Sequence, residues 1–442
     1  MAVSAARSVA YDILLKVEQQ DSYASELLHS HRLDALSVQD RGLCTELVMG
    51  VLRWRSVLDN AIAKASSKTV SRLDAEVRIA LQLAIYQFKF LERVPSHAAV
   101  NESVELVKRA RKRSAVPFAN AVLRKASGDT ERPKPPATGA PIREIAASYA
   151  HPTWLVERWS KAYGPLVAER VCAFDQQVPV TAIRLSDAAS EDEIRSEGVE
   201  LAPGELLTRT RRVVSGDVTR TKAYAEHRIA IQDEASQLVA LIVGRGIRIL
   251  DCCAAPGSKT AALAWHNPEA QIVAAEIHPH RAALLRERVP QRNVEVLTAD
   301  ATALPYGAEF DRVLVDVPCT GTGTLARNPE IKWKLRVEDI ADLRNRQLSI
   351  LRAAMGHVAP GGRLVYSTCS LESEENASVV EEALQAASGF QLLDAAEELS
   401  RLRDAHELAW AETTSLTRGK YLRTLPGMHP SEGFFAAILQ RH

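Results

Sequence analysis

The chain of 442 residues is poor in cysteine and in aromatic residues, and it lacks long apolar runs. Its six cysteines are too few for a disulfide framework, and no two of them have the C-x-x-C spacing of a zinc site. No apolar run approaches the ~20 residues of a membrane-spanning helix. The N-terminal segment also lacks the continuous apolar core of a signal peptide. These absences predict a reduced, cytoplasmic protein that has no structural metal and no membrane partner.

A net charge is also absent, because 55 basic residues balance 55 acidic residues. The distribution is uneven, since residues 1–127 carry 19 Lys and Arg against 13 Asp and Glu. Five of these basic residues form one run: Lys108, Arg109, Arg111, Lys112 and Arg113. A run of this density is typical of a surface that contacts a phosphate backbone, although a solvated helix face can have the same composition.

The periodicity of apolar residues divides the chain into domains. Residues 1–127 have apolar positions at three- and four-residue spacing, which predicts an all-α bundle. Residues 128–140 contain three prolines and no apolar period, which indicates a linker. Residues 141–225 mix helix-like and strand-like segments, as expected of a small α+β subdomain. In residues 226–442 short β-branched runs alternate with helical segments, which predicts an α/β domain with a mostly parallel sheet.

Two cysteines follow strand-like runs of the α/β domain. Cys319 comes after RVLVDV in the sequence VDVPCTGTG, and Cys369 comes after GRLVYS in the sequence YSTCSLESEEN. Ligands of open α/β sheets bind where the carboxyl ends of parallel strands meet, so the two thiols are predicted to face one pocket. A thiolate there can add to an electron-poor carbon and form a covalent intermediate. Two buried structural cysteines are the alternative interpretation.

A loop of small residues, DCCAAPGSKT, lies between a predicted strand and a predicted helix. It lacks the G-x-x-x-x-G-K-[ST] and G-x-G-x-x-G patterns, which argues against a phosphate loop. Glu276 ends the next predicted strand, 25 residues after Asp251, close to the ~20-residue offset that places an acid on a ribose diol. Asp300 ends the third predicted strand, where it can accept a hydrogen bond from an adenine amino group. Helix capping and solvation are the alternative roles of both carboxylates.

Together, DCCAAPGSKT, DVPCTG and STCS resemble the motifs of the RNA 5-methylcytosine methyltransferases. The layout of the whole chain is similar to the RsmB, Sun or Fmu branch of that family. The resemblance implies a NusB-like RNA-binding bundle, an RNA-contacting subdomain and a Rossmann-like class I methyltransferase domain. It also implies S-adenosylmethionine-dependent methylation of cytosine C5, at a cytosine-967-type position of 16S ribosomal RNA. The partner would be small-subunit ribosomal RNA before full ribosome assembly, and the enzyme would be a monomer without a metal.

The resemblance also assigns roles to individual residues. Cys369 matches the nucleophile of the family, Cys319 matches the cysteine that assists product release, and Asp316 is a carboxyl group that can contact the cytosine. Lys259 is a candidate for orienting Asp316. Glu375 is expected only to help begin a helix, where a carboxylate is favourable. The candidate contacts to S-adenosylmethionine are Cys253, Ala254, Ala255, Pro256, Gly257, Ser258, Lys259, Glu276, Asp300 and Asp316.

Two further residues are candidate RNA contacts. Arg184 lies in a segment that departs from the family's usual pattern, and Lys332 lies in the stretch after the Pro-Cys motif. Three alternatives to the proposed activity stay open. The first is methylation of transfer RNA, and the second is methylation of an exocyclic amine, which needs no cysteine. The third is a non-catalytic RNA-binding or antitermination factor, in which nothing would require both cysteines.

Overall fold

The computed structural model describes residues 3–20, 22–30, 33, 35–186 and 190–442. The chain forms two compact units. The first unit comprises Met1–Val178 together with Leu325–Lys334, and the second comprises Pro179–Thr324 together with Leu335–His442. Among the helices in the described ranges, none has the length and apolar character that a membrane span requires.

The first unit is helical, and most of its apolar core lies between residues 6 and 126. Helix α5 is buried around almost its whole circumference, as expected for the central helix of a bundle. Helices α3 and α4 meet at Trp54, which stacks on Phe90 with ring centroids 4.9 Å apart. Its helices are α1 Ala5–Gln19, α2 Ala24–Leu28, α3 Val38–Arg53, α4 Arg55–Ser66, α5 Ala75–Phe90, α6 Ser96–Arg109, α7 Val116–Ala126, α8 Ile142–Ser148, α9 Thr153–Tyr163 and α10 Pro165–Asp175.

The second unit contains two sheets and the helices that cover them. Its elements are β1 Ala182–Leu185, α11 Glu191–Ser196, β2 Glu200–Pro203, β3 Thr210–Ser215, α12 Lys222–Ala225, β4 Ile229–Ile231, α13 Glu234–Val243, β5 Arg248–Asp251, α14 Ser258–His266, β6 Gln271–Glu276, α15 Pro279–Arg288, β7 Val294–Thr298, β8 Phe310–Asp316, α17 Val337–Met355, β9 Val358–Thr368, α18 Ala377–Gln385, β10 Phe390–Leu393, α19 Ala395–Asp404, β11 Thr417–Arg418, β12 Tyr421–Arg423 and β13 Phe435–Arg441. The short helix α16, Ile331–Lys334, belongs to the first unit.

The smaller sheet is antiparallel, with the order β2-β3-β1-β4. The larger sheet has the order β11-β12-β13-β9-β8-β5-β6-β7, and β10 pairs with β13. Strands β7, β6, β5, β8 and β9 are parallel, which confirms the predicted mostly parallel sheet. Strand order reverses between β5 and β8, and in α/β folds ligands bind at the carboxyl ends of the strands beside such a reversal.

The compact units divide the chain differently from the predicted domains. Helices α8–α10, which the sequence pattern assigned to the 141–225 subdomain, belong to the first unit, whereas strands β1–β4 belong to the second. The reason is tertiary contact. Within the first unit, the side-chain amide of Gln176, just after α10, donates to the backbone carbonyl of Arg53 at the end of α3. Periodicity alone cannot show which neighbour an amphipathic helix will pack against.

Gly50 of α3 lies directly against the side chain of Tyr86 on α5. The ring of Tyr86 on α5 occupies the space that a Cβ atom at position 50 would need. Gly42 is on the same helix, but a Cβ atom there would meet nothing within 4 Å. The two glycines of α3 therefore have different functions in packing.

Replacing Gly50 by alanine should destabilise the bundle by ~1–3 kcal/mol, because the added methyl group must displace the Tyr86 ring from a packed core. The Gly42→Ala variant is the matched control, and it should keep or raise stability because alanine is the better helix former. Urea titrations followed by helical circular dichroism would compare the two midpoints. Equal midpoints would contradict the close approach at Gly50.

Candidate active site

The structure brings Cys319 and Cys369 together at the carboxyl ends of β8 and β9. These strands are paired up to Asp316 and Ser367, so the loops that follow them leave the sheet side by side. The two Sγ atoms are 3.3 Å apart, and both thiols are free. The hydrogen bond with Cys369 and burial together raise the pKa of Cys319 well above its ordinary value. Cys319 therefore keeps its proton and can donate it in a hydrogen bond to the sulfur of Cys369.

Asp316, the last residue of β8, is fixed by two hydrogen-bonding groups. Its Oδ2 lies 2.8 Å from Nζ of Lys259, and its Oδ1 accepts a hydrogen bond of 2.7 Å from the Ser367 hydroxyl. Burial is the largest single effect and would lower the pKa of Lys259, but the charge and hydrogen bond of Asp316, together with the charges of Cys369 and Asp251, raise it. The ammonium group also lies over the ring of Phe434, 4.9 Å from its centroid. Lys259 thus stays charged and orients the Asp316 carboxyl group.

The DCCAAPGSKT loop connects β5 to α14 and depends on Gly257. This residue has φ +109°, and a Cβ atom there would come within 2.7 Å of Val289 and 2.8 Å of Leu285. Asp251 ends β5, and its Oδ2 accepts a hydrogen bond of 2.8 Å from the Thr260 hydroxyl. Burial raises the pKa of Asp251 to about 7. Its Oδ1 is buried and has no hydrogen-bond partner within the described ranges, which leaves an acceptor beside the loop.

The predicted ribose and adenine contacts follow the next two strands. Glu276 is the last residue of β6 and is buried, and its Oε1 accepts from the backbone N–H of His278 at 2.9 Å. Asp300 lies two residues beyond the end of β7 and is exposed. Hydrogen bonds from the backbone N–H and the hydroxyl of Thr302, at 2.9 and 2.8 Å, lower the pKa of Asp300. Both carboxylates therefore stand at the edge of the sheet predicted for the cofactor, and Asp300 also stabilises its own turn.

Glu375 joins the two cysteine loops, a role that the sequence pattern did not reveal. It is completely buried in the turn before α18. Its Oε1 accepts hydrogen bonds from the backbone N–H of Thr320 at 2.9 Å and from the side-chain amide of Gln347 at 2.8 Å. Its Oε2 accepts from the hydroxyls of Thr320 and Ser370. Because these two residues directly follow Cys319 and Cys369, one carboxylate holds both loops.

Close backbone contacts reinforce this connection. The N–H of Gly323 donates to the carbonyl of Cys369 at 2.8 Å, and the N–H of Gly433 donates to the carbonyl of Gly323 at 2.9 Å. A Cβ atom on Gly323 would collide with the carbonyl oxygen of Gly433. The loop that carries Cys319 is therefore tied on one side to the Cys369 loop and on the other to the segment before β13.

The basic run of the first unit is only partly engaged by acidic neighbours. Three of its members form ion pairs, namely Lys108 with Glu105, Arg109 with Asp12, and Lys112 with Asp74. Arg111 and Arg113 are exposed, and neither has a carboxylate partner in the part of the chain that the structure describes. These two guanidinium groups are the members of the run that are free to meet another anion.

Arg184 and Lys332 are buried, which corrects their assignment as RNA contacts. Arg184 in β1 is 3% exposed and contacts His266. Lys332 is 1% exposed, and its Nζ donates to the backbone carbonyl of Arg53 at 3.0 Å. Burial lowers the pKa of Lys332 to about 7. Its side chain satisfies a carbonyl at the end of α3 within the first unit, so the ammonium does not reach the surface to meet a phosphate.

Comparison with known proteins agrees with this arrangement. Residues 239–440 match the sequence family described as "16S rRNA methyltransferase RsmB/F", and residues 4–127 match the NusB family. A Bacillus subtilis protein named "Probable ribosomal RNA small subunit methyltransferase B" is 31% identical over 456 residues, covering 100% of both chains.

Two solved structures have a similar fold. The crystal structure of the protein PH0851 covers 100% of both chains with a TM-score of 0.80 and 24% identity. The structure of NSun6 from Pyrococcus horikoshii, determined with SFG, covers 66% of this chain and 98% of that one, with a TM-score of 0.55 and 19% identity. At these identities the likeness concerns the fold alone. With a relative matched along its whole length and both domains recognised separately, the chain belongs to the RsmB/Sun family of ribosomal RNA methyltransferases, with a NusB-like domain at its N-terminus.

Proposed function

We propose that this methyltransferase transfers a methyl group from S-adenosylmethionine to C5 of a cytosine in 16S ribosomal RNA, at a cytosine-967-type position. The observation that carries the proposal is the pair of thiols 3.3 Å apart beyond two adjacent parallel strands. Methylation of an exocyclic amine would not use such a pair. The names of the relatives, which specify small-subunit ribosomal RNA, favour that substrate over transfer RNA.

The residues around the β5–α14 loop fit the methyl donor. Gly257 lets the loop pack closely against Val289 and Leu285 at the start of α14, and Asp251 offers a buried oxygen without a partner in the described ranges. The loop residues 253–259 would hold S-adenosylmethionine, with Glu276 on its ribose and Asp300 on its adenine. The bound donor supplies a methyl group on a sulfonium, which is already an activated leaving group.

Cys369 begins the reaction on the cytosine. Since C6 is inaccessible in a stacked helix, the target nucleotide must be single-stranded or flipped out. The thiolate of Cys369 forms a bond to C6, and the electron pair of the C5–C6 double bond becomes available at C5, which then takes the methyl group. Asp316, held by Lys259 and Ser367, accepts a hydrogen bond from the exocyclic amino group and so orients the ring.

Cys319 completes the reaction. Once Cys369 is bonded to C6, it no longer raises the pKa of Cys319, so the Cys319 proton can pass to solvent and leave a thiolate that acts as the base. That thiolate takes the proton from C5, and the electrons of the C5–H bond restore the C5–C6 double bond. The C6–S bond then breaks, and its electron pair returns to Cys369. One sulfur therefore attacks and the other releases the product.

The two cysteine variants should fail at different steps. Cys369→Ala should abolish both methylation and covalent capture, because burial keeps the remaining thiol, Cys319, protonated and therefore a poor nucleophile. Cys319→Ala should also lose turnover but should accumulate a protein–RNA adduct, since attack and methyl transfer remain possible. Denaturing electrophoresis of each variant with 16S RNA and S-adenosylmethionine would detect the adduct. The Cys319→Ala/Cys369→Ala double variant is the control and should form none.

The opposite pattern would show that the roles are exchanged. An adduct with Cys369→Ala and none with Cys319→Ala would make the Pro-Cys thiol the nucleophile, as in the DNA cytosine methyltransferases. No methylated cytosine with the unchanged enzyme would reject the proposed reaction itself.

Replacing Glu375 by glutamine should slow formation of the Cys369 adduct ~10- to 100-fold. The amide turns one acceptor into a donor, so a buried donor of Thr320 or Ser370 loses its partner at a cost of ~1–3 kcal/mol. Affinity for S-adenosylmethionine should not change. Glu374→Gln, in the same turn but partly exposed, is the matched control and should keep its rate. Equal adduct rates for the two variants would show that Glu375 does not position the thiols.

Replacing Arg111 and Arg113 by glutamine should weaken RNA binding and reduce its salt dependence. Each lost phosphate contact should lower the slope of log K against log salt by ~0.7–0.9. The double variant Lys108→Gln/Lys112→Gln is the control, and it should have a smaller effect because both ammonium groups already pair with carboxylates. Filter binding across a salt series would measure the slopes. A slope unchanged in both variants would mean that the run is only a solvated surface.

A further inference from the structure

The second unit has a cavity of about 400 Å³ at the edge of the sheet opposite the two cysteines. Arg312 lies near the amino end of β8, whereas Cys319 lies beyond its carboxyl end. Helices α13 and α19 form the other walls. The charged or titratable residues of the lining are Arg245, His266, Arg312, Arg363, Arg401 and Glu407.

Two of these arginines are neighbours on adjacent parallel strands. The register of the sheet places Arg312 of β8 beside Arg363 of β9. Their side chains converge on Gly244, where a Cβ atom would lie 3.5 Å from Nη1 of Arg363 and 3.6 Å from Nε of Arg312. Burial and then the charge of Arg363 lower the pKa of Arg312. Like charges in neighbouring positions of a sheet are destabilising unless an anion offsets them.

The carboxylates near the cavity offset only part of this charge. Arg363 and Arg401 share one carboxylate, Glu398, at 3.2 and 2.6 Å. Glu407 is the acidic residue of the lining itself. The carboxylate of Asp311, next to Arg312, accepts instead from the backbone N–H groups of residues 247 and 248.

Arg312 and Arg245 are left with donors that no carboxylate uses. Nη1 of Arg312 donates to the carbonyl of Asp311 at 2.6 Å, but its Nε is buried and has no hydrogen-bond partner among the described residues. Arg245 is exposed and forms no ion pair within the described ranges. A buried donor without a partner is unfavourable, so this site favours a bound acceptor.

We propose that the cavity binds a phosphate group. A guanidinium is a planar set of donors that matches phosphate, and the several oxygens of one phosphate can accept from Arg312, Arg363 and Arg245 together. The bound anion would also offset the repulsion between Arg312 and Arg363. A backbone phosphate of RNA and a free phosphate ion have the same chemistry here. Binding of an RNA backbone phosphate rests on the proposed function, whereas binding of a free phosphate ion does not.

Two measurements on the full chain test the site. The first is calorimetric titration with inorganic phosphate in a buffer free of other oxyanions. The second is the salt dependence of binding to a 16S RNA fragment. Arg312→Gln should weaken phosphate binding ~10- to 100-fold, as expected for a lost hydrogen bond to a charged group. Arg245→Gln is a second variant at an exposed position, where a folding defect is not expected. Arg292→Gln, an exposed arginine of the same unit outside the cavity, is the matched control.

The outcomes separate the two sources of phosphate. A smaller RNA salt slope for Arg312→Gln or Arg245→Gln, but not for Arg292→Gln, would assign the site to the RNA backbone. Weaker binding of inorganic phosphate without a change in the RNA slope would assign it to a free anion. No difference from Arg292→Gln in either measurement would overturn the proposal. Failure of the proposed function would instead be seen in the covalent capture by Cys369, which does not involve this cavity.

Discussion

Parallel pairing of β8 with β9 is the constraint on which the candidate site depends. The register that places Asp316 beside Ser367 makes the following loops leave the sheet together, and each loop carries one thiol. Strand pairing alone would still allow the loops to spread apart. The buried carboxylate of Glu375 prevents this, because it accepts hydrogen bonds from the residues that follow both cysteines. The short distance between the sulfurs is thus a product of sheet register and one buried acid.

Sequence reasoning could locate the strand ends because their signals are local. Apolar runs mark strands buried on both faces, and in a parallel sheet the residues after such runs meet at one edge. Glu276 and both cysteines therefore stand where their neighbours in sequence predicted. The role of Glu375 in holding the two loops could not be predicted. In the sequence, a carboxylate before a helix looks the same whether it is exposed to solvent or accepts hydrogen bonds from two distant loops. Its partner Thr320 is 55 residues away in sequence.

The incorrect assignment of Lys332 as an RNA contact has a physical origin. A lone basic residue after a catalytic motif resembles an RNA contact, but the chain between residues 325 and 334 belongs to the helical unit. There Lys332 and Trp333 donate to the carbonyls of Arg53 and Leu52, which lie in the last turn of α3, where a helix leaves its carbonyls without N–H partners of its own. These acceptors are about 280 residues away in sequence. The sequence around a basic residue contains no periodic pattern that would show its burial against the end of a helix far away in the chain.

Burial acts in opposite directions on the acids and bases of the site, and this separates their roles. It helps to raise the pKa of Cys319, so that thiol keeps its proton near neutral pH, and it raises the pKa of Asp251 to about 7, so that carboxyl group is partly protonated there. Lys259 stays charged because the negative charge and hydrogen bond of Asp316, together with the negative charges of Cys369 and Asp251, outweigh burial. Cys319 keeps its proton and can donate a hydrogen bond to the sulfur of Cys369. The two chemically identical thiols therefore differ in which of them holds the proton of their shared hydrogen bond.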